Sequence, residues 1–156
     1  MRPFLALVLL ALLAPLSRAS DVEFVRVWPE WRDTDSFDRI SEYFTGRENT
    51  GGQVIVRTQP KSRAGFYFLA RVKNSGSAQP AAKLILSLIK PDAPQVHVYT
   101  FPVALPNGEA VFNLGLTGDD WGGKKMHPVA WKLEAVATDG TLLTVQKSFL
   151  WEKPGK

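Results

Sequence analysis

Over most of its length the chain alternates apolar and polar residues with a period of two, in runs of Val, Ile, Phe, Tyr and Leu separated by short Gly, Pro, Asn and Asp clusters. An extended backbone points successive side chains to opposite faces, so this pattern predicts half-buried β-strands. About eight runs carry it: Val22 to Trp28, Gln53 to Thr58, Ala64 to Lys73, Lys83 to Lys90, Gln95 to Val103, Glu109 to Leu114, Val129 to Thr138 and Thr141 to Trp151. The third is the clearest. Phe66, Phe68, Ala70 and Val72 share one face, while Tyr67, Leu69, Arg71 and Lys73 share the other. Leu84, Leu86 and Leu88 form a matching inner face, and Trp131 falls among the inward positions of the penultimate run.

Asn107-Gly108 and Asp139-Gly140 sit between neighbouring runs. Tight hairpin turns need positive φ, which these residues tolerate best, so both pairs predict hairpins and antiparallel pairing. One segment departs from the period. From Asp35 to Gly46, apolar residues recur at Phe37, Ile40 and Phe44, the spacing of one helical face. Asp35 or Ser36 is placed to cap this helix and Gly46 to end it, with the helix spanning residues 36–45 and covering an end or open edge of the sheet.

Short alternating strands with hairpin turns and almost no helix define an all-β chain. The expected architecture is an antiparallel two-sheet sandwich of the immunoglobulin or fibronectin type rather than a closed barrel. The inter-sheet cysteine pair of antibody domains is absent, since the chain has no cysteine. Disulfides are thereby excluded, and the fold must rest on packing.

The N-terminus follows a different pattern. Met1-Arg2-Pro3 precedes an uncharged apolar run from Phe4 to Ala14, then Pro15 and Leu16-Ser17-Arg18-Ala19. A positive start, a short apolar run and small residues before a cut site are the marks of a secretory signal peptide. Residues 1–19 are expected to be removed after Ala19, because the run is well short of the roughly 20 residues that span a bilayer. Residues 20–156 then form one domain, exported to a periplasm or the extracellular space, with no transmembrane anchor in the mature form.

Of 19 basic residues, Arg2 and Arg18 leave with the signal, so against 15 acidic residues the net charge of +4 becomes +2. Its distribution says more than its sum. No acidic residue lies between Glu48 and Asp92, while Arg57, Lys61, Arg63, Arg71, Lys73, Lys83 and Lys90 do. Arg71 and Lys73 share a strand face with Tyr67, and Arg57 on a neighbouring strand completes a candidate basic patch for an anionic protein or envelope polymer. The plainer reading is that these residues solubilise strand faces and blunt edges. Nucleic acid is a poor partner for an exported chain.

Catalytic chemistry finds little footing. Of the two histidines, His97 is placed on a strand surface and His127 in a loop, and no third ligand stands at a spacing that would hold zinc. Glu30, Asp33, Asp35, Asp38 and Glu42 contain carboxylates enough for hydrolysis, but a helix N-terminus and its solvent face account for them. Thr117 to Gly123 is rich in oxygen ligands yet lacks the periodicity and closing glutamate of a calcium loop. Trp28, Trp31 and Trp121 are candidates for stacking on sugar rings, with clamping of loops as the alternative. No catalytic residue, metal or cofactor is assigned. The sequence is therefore read as a non-enzymatic interaction or structural module of the cell envelope or extracellular space. The rivals are a carbohydrate-binding module using these tryptophans and a hydrolase with an unrecognised site. Oligomeric state is left open.

Overall fold

A computed structural model of the chain describes residues 20–152. The expected signal peptide and its cut lie outside them, as does the C-terminal Lys153-Pro154-Gly155-Lys156. Among these residues eight strands are present: β1 (Val22–Arg32), β2 (Val54–Arg57), β3 (Gly65–Asn74), β4 (Gln79–Lys90), β5 (Ala93–Leu105), β6 (Gly108–Thr117), β7 (Ala130–Val136) and β8 (Leu142–Lys147). They form two four-stranded sheets, ordered β1-β3-β6-β2 and β5-β4-β7-β8. Every pairing is antiparallel except β2 with β6, which is parallel.

The fold is a β-sandwich of the immunoglobulin type. With β1, β3 and β6 as strands A, B and E, and β5, β4, β7 and β8 as C′, C, F and G, each strand stands in the sheet that this architecture assigns it. β2 is added at the edge beside β6.

The core sits between the sheets, where the sequence alternation placed it. Phe66, Phe68, Ala70 and Val72 of β3 and Leu84, Leu86 and Leu88 of β4 are buried, joined by Phe112, Leu114 and Leu116 of β6 and Leu133 of β7. Trp131 meets Phe68 edge to face at 5.6 Å between ring centroids, a contact of the kind that aromatic pairs favour. Burying each such side chain contributes about 1.5–3 kcal/mol.

Of the two turn dipeptides, one closes a hairpin and the other does not. Asp139-Gly140 does join β7 and β8 as a hairpin, with Gly140 at φ +87°. Asn107-Gly108 does not: Gly108 takes a positive φ of +98°, but the corner carries the chain from β5 in one sheet to β6 in the other. Asn74 Nδ2 donates to the Pro106 carbonyl at 3.1 Å and Asn107 Nδ2 to that of Gly76 at 2.8 Å. Those bonds tie the corner to the β3–β4 loop.

Three other expectations change. β1 continues past Pro29 to Arg32, because an edge strand tolerates a residue without an N–H, and Trp31 turns inward opposite Phe66. The last strand stops at Lys147, and Phe149–Glu152 forms a short helical turn, α2, instead of more strand. The single helix over 36–45 is divided into a 3₁₀ turn (Thr34–Phe37) and a helix α1 (Ile40–Thr45), separated by extended backbone at Asp38 and Arg39. Neither Asp35 nor Ser36 caps α1. Gly46 does end it, left-handed at φ +65°.

Candidate functional site

The alternation that sends Phe66 and Phe68 inward turns Tyr67 to the outer face of its sheet, yet Tyr67 is fully buried. Its cover is the segment between β1 and β3. On the outer face, Glu30, Tyr67, Gly115 and Arg57 stand side by side across the four strands. Gly115 is what lets the row close. A Cβ there would lie 2.5 Å from Tyr67 Cε1, so only glycine leaves room for the ring to lie toward Arg57.

The hydrogen bonds of this row are directional and linked. Arg57 Nε donates to Tyr67 Oη at 2.8 Å, and Tyr67 Oη donates to the Arg63 carbonyl at 2.6 Å. The other two guanidinium nitrogens of Arg57 form a fork on Glu48, at 2.8 and 2.6 Å. Phe37 caps the row, its ring 4.8 Å from that of Tyr67, with the guanidinium carbons of Arg32 and Arg57 at 4.1 and 4.9 Å from its centroid. Arg32 also donates to Asn113 Oδ1 and to the Ser36 carbonyl, and Asn113 Nδ2 donates to Gln53 Oε1 at 2.7 Å. Arg63 Nη1 bridges Asp38 and Glu42, both at 2.9 Å.

The charges are matched to this geometry. Hydrogen bonds from Arg57 hold the Glu48 carboxyl below its usual range, against the cost of its burial. Glu48 in turn raises the Arg57 pKa, opposed by burial and aided by Tyr67. Burial pushes the Tyr67 hydroxyl up, with Arg57 acting in the opposite sense. Burial works against the Glu42 charge, but the Asn49 N–H and Arg63 outweigh it and its pKa falls. Together these groups brace the segment between β1 and β3.

What the brace holds out is α1. Its three large apolar side chains, Ile40, Tyr43 and Phe44, are 79, 84 and 85% exposed. Arg39 and Arg47 flank them and are also exposed. A shallow hollow of ≈ 250 Å³ lies alongside, lined by Asp38, Arg39, Glu42 and Tyr43. The helical spacing sets Phe37, Ile40 and Phe44 on one face, expected to cover an end or open edge of the sheet. Only Phe37 is buried, since the extended break at Asp38 and Arg39 turns the helix away from the sheet. No proline or glycine marks that break in the sequence, so nothing there signalled the exposure.

The candidate basic patch is taken apart. Arg57 and Tyr67 do meet, but as an internal pair, with the Arg57 side chain 8% exposed and neutralised by Glu48. Lys73 lies in register between Glu23 and Glu109, and Arg71 between Arg26 and Val111. Both remain on the surface.

The three candidate tryptophans are also separated. Trp28 is exposed, but the Arg26 guanidinium lies over its ring at 4.2 Å. Trp31 faces inward and donates from Nε1 to Asp33 Oδ1 at 2.8 Å. Trp121 is buried, stacked on Phe66 at 4.7 Å and donating to the Met126 carbonyl. Trp151, at the end of the last alternating run, is half-buried beneath the Lys132 ammonium. His97 is not a surface residue of its strand: it stands opposite Leu88 with Nε2 buried and without a hydrogen-bond partner among the described residues.

No family model matches the chain, and no curated protein sequence does. Among solved structures it is similar to an immunoglobulin-like protein of Pseudomonas aeruginosa, at 15% identity and a TM-score of 0.35 over 83% of this chain and 96% of the other. It is also similar to part of a β-glucosidase of Chaetomella raphigera, at 13% identity and a TM-score of 0.39 over 82% of this chain. The chain spans 18% of that enzyme's length.

Proposed function

We propose that this is an exported, non-enzymatic β-sandwich that docks on a protein partner through α1. One observation carries the reading: three large apolar side chains stand almost fully exposed on a six-residue helix whose supporting loop is fastened by paired charges. Single exposed apolar residues are ordinary, but a braced cluster of two aromatics and an isoleucine is the form of a docking element. Arg39 and Arg47 beside it give the partner's chemistry, an apolar groove edged by carboxylates. Association with such a groove weakens as salt screens the charges. Export rests on the expected signal segment. Sugar stacking and hydrolysis have less support, because Trp121 is stacked inside on Phe66 and because Asp38 and Glu42 are both engaged by Arg63.

The test is a photo-crosslinking residue at Phe44 in the native host, paired with the triple variant Ile40→Ser, Tyr43→Ser, Phe44→Ser. Crosslinking to one protein, and loss of its capture by the triple variant at unchanged melting temperature, is the expected result. Equal capture by the triple variant overturns the reading.

A further inference from the structure

On the outer face of the β1-β3-β6-β2 sheet, the arginines around Tyr67 are engaged, Arg57 by Glu48 and Arg63 by Asp38 and Glu42. Farther along the same face the balance changes. Arg26 of β1 stands directly opposite Arg71 of β3, and both are exposed. Like charges set opposite each other across a strand pair destabilise it. Yet neither guanidinium forms an ion pair among the described residues. Lys73, the next outward residue of β3, is balanced by Glu23 and Glu109 on either side, which leaves Arg26 and Arg71 as the uncompensated cations of this region.

A bulge creates this pairing. Phe24 lies opposite Val72 and Arg26 opposite Arg71, so Val25 is an extra residue in β1. In an unbroken ladder Arg26 would fall opposite Ala70, whose side chain is buried between the sheets. The extra residue turns Arg26 outward and returns Val27 to the inner face. Bulges re-aim side chains in this way beside active sites. Arg26 is also held in place: its guanidinium carbon lies 4.2 Å from the centroid of the Trp28 ring. That contact uses the flat face of the guanidinium and leaves the N–H groups on its edge free for a ligand. Val25 and Trp28, each 49% exposed, supply apolar surface beside the two charges.

We propose that Arg26 and Arg71 form a binding site for the phosphate group of a phosphomonoester. Charge and donor count select the group. A phosphomonoester carries about −1.5 to −2 at neutral pH and offers three acceptor oxygens, enough to neutralise and engage two guanidiniums. A carboxylate has one charge and two oxygens, which a single arginine fork already fills. A phosphodiester likewise brings one charge. The apolar cover of Val25 and Trp28 favours a phosphate that carries an organic body over the free ion. Binding relieves the repulsion across the Arg26–Arg71 pair, so the cost of holding these charges together is returned when the ligand is present. This site goes beyond docking through α1 and is independent of it.

Titration of the chain from Ser20 onward with phenyl phosphate, inorganic phosphate and benzoate at constant ionic strength, followed by the NMR signals of the arginine Nε–H groups, tests the site. The expected result is a saturable shift at Arg26 and Arg71, tightest for phenyl phosphate and weakest for benzoate. Arg26→Gln and Arg71→Gln should each weaken phenyl phosphate binding by about tenfold. Melting temperatures separate binding from folding. In chloride, Arg71→Gln should be at least as stable as the parent, since a like-charge pair is gone, and phenyl phosphate should raise the melting temperature of the parent more than that of the variant. Benzoate or inorganic phosphate binding as tightly as phenyl phosphate, undiminished binding in both variants, or an Arg71→Gln chain less stable than the parent in chloride would each overturn the proposal.

Discussion

On the inner face of β3, Phe66 and Phe68 pack among the leucines of the opposite sheet, whereas on the outer face Tyr67 is equally buried but is held by hydrogen bonds from Arg57 and to Arg63, with Glu48 behind them. Inner contacts are non-directional and respond to volume. The outer assembly responds to geometry, since each donor has one assigned acceptor and a missing partner leaves the other exposed to a desolvation cost. The first face makes the domain fold; the second determines where one short helix is displayed.

The largest break of this contrast is expected on the inner face. Phe68→Ala removes a ring packed against Trp131 and should cost about 3–5 kcal/mol in urea unfolding. Next comes Gly115→Ala, whose added Cβ collides with Tyr67 and should cost about 1–3 kcal/mol. Its distinguishing sign is faster proteolysis of the segment between β1 and β3, which Phe68→Ala should not share at equal stability.

Glu48→Gln sharpens the comparison through pH. The Glu48 carboxyl titrates below its ordinary value in the folded chain, so its contribution is full above the unfolded value of about 4.3 and is lost as pH falls through the folded one. The variant should be about 1 kcal/mol less stable than the parent at neutral pH. That gap should narrow in acid, read from melting temperatures across an acid series. A constant gap would mean that the ion pair with Arg57 contributes through packing alone. The smallest stability effect belongs to Ile40→Ser, Tyr43→Ser, Phe44→Ser, expected within about 0.5 kcal/mol of the parent because these side chains already face water.

The sandwich was legible because its cause is local and repeated. Period-two alternation in β3, β4 and β7 states which side chains must leave water, and Asp139-Gly140 supplies the φ that its hairpin needs. Asn107-Gly108 shows where that reading ends. A turn dipeptide specifies a change of direction, but whether the next strand pairs with β5 or crosses to the facing sheet depends on which surface Phe112 and Leu114 must reach.

The candidate site was less legible for the same reason. Arg57 and Tyr67 were picked out by residue type and face, but Glu48 lies in a loop and β2 pairs with β6, so their joining across Gly115 depends on strand order. The helical spacing of Phe37, Ile40 and Phe44 was real in the sequence and misleading about burial. Alternation, the absence of cysteine and the turn residues were enough to determine an all-β sandwich held by packing. Only the tertiary structure decided that Arg57 is internal, that Trp121 is core and that α1 faces outward, because burial of a side chain is a property of what lies across from it, and those neighbours are brought together by contacts remote in sequence.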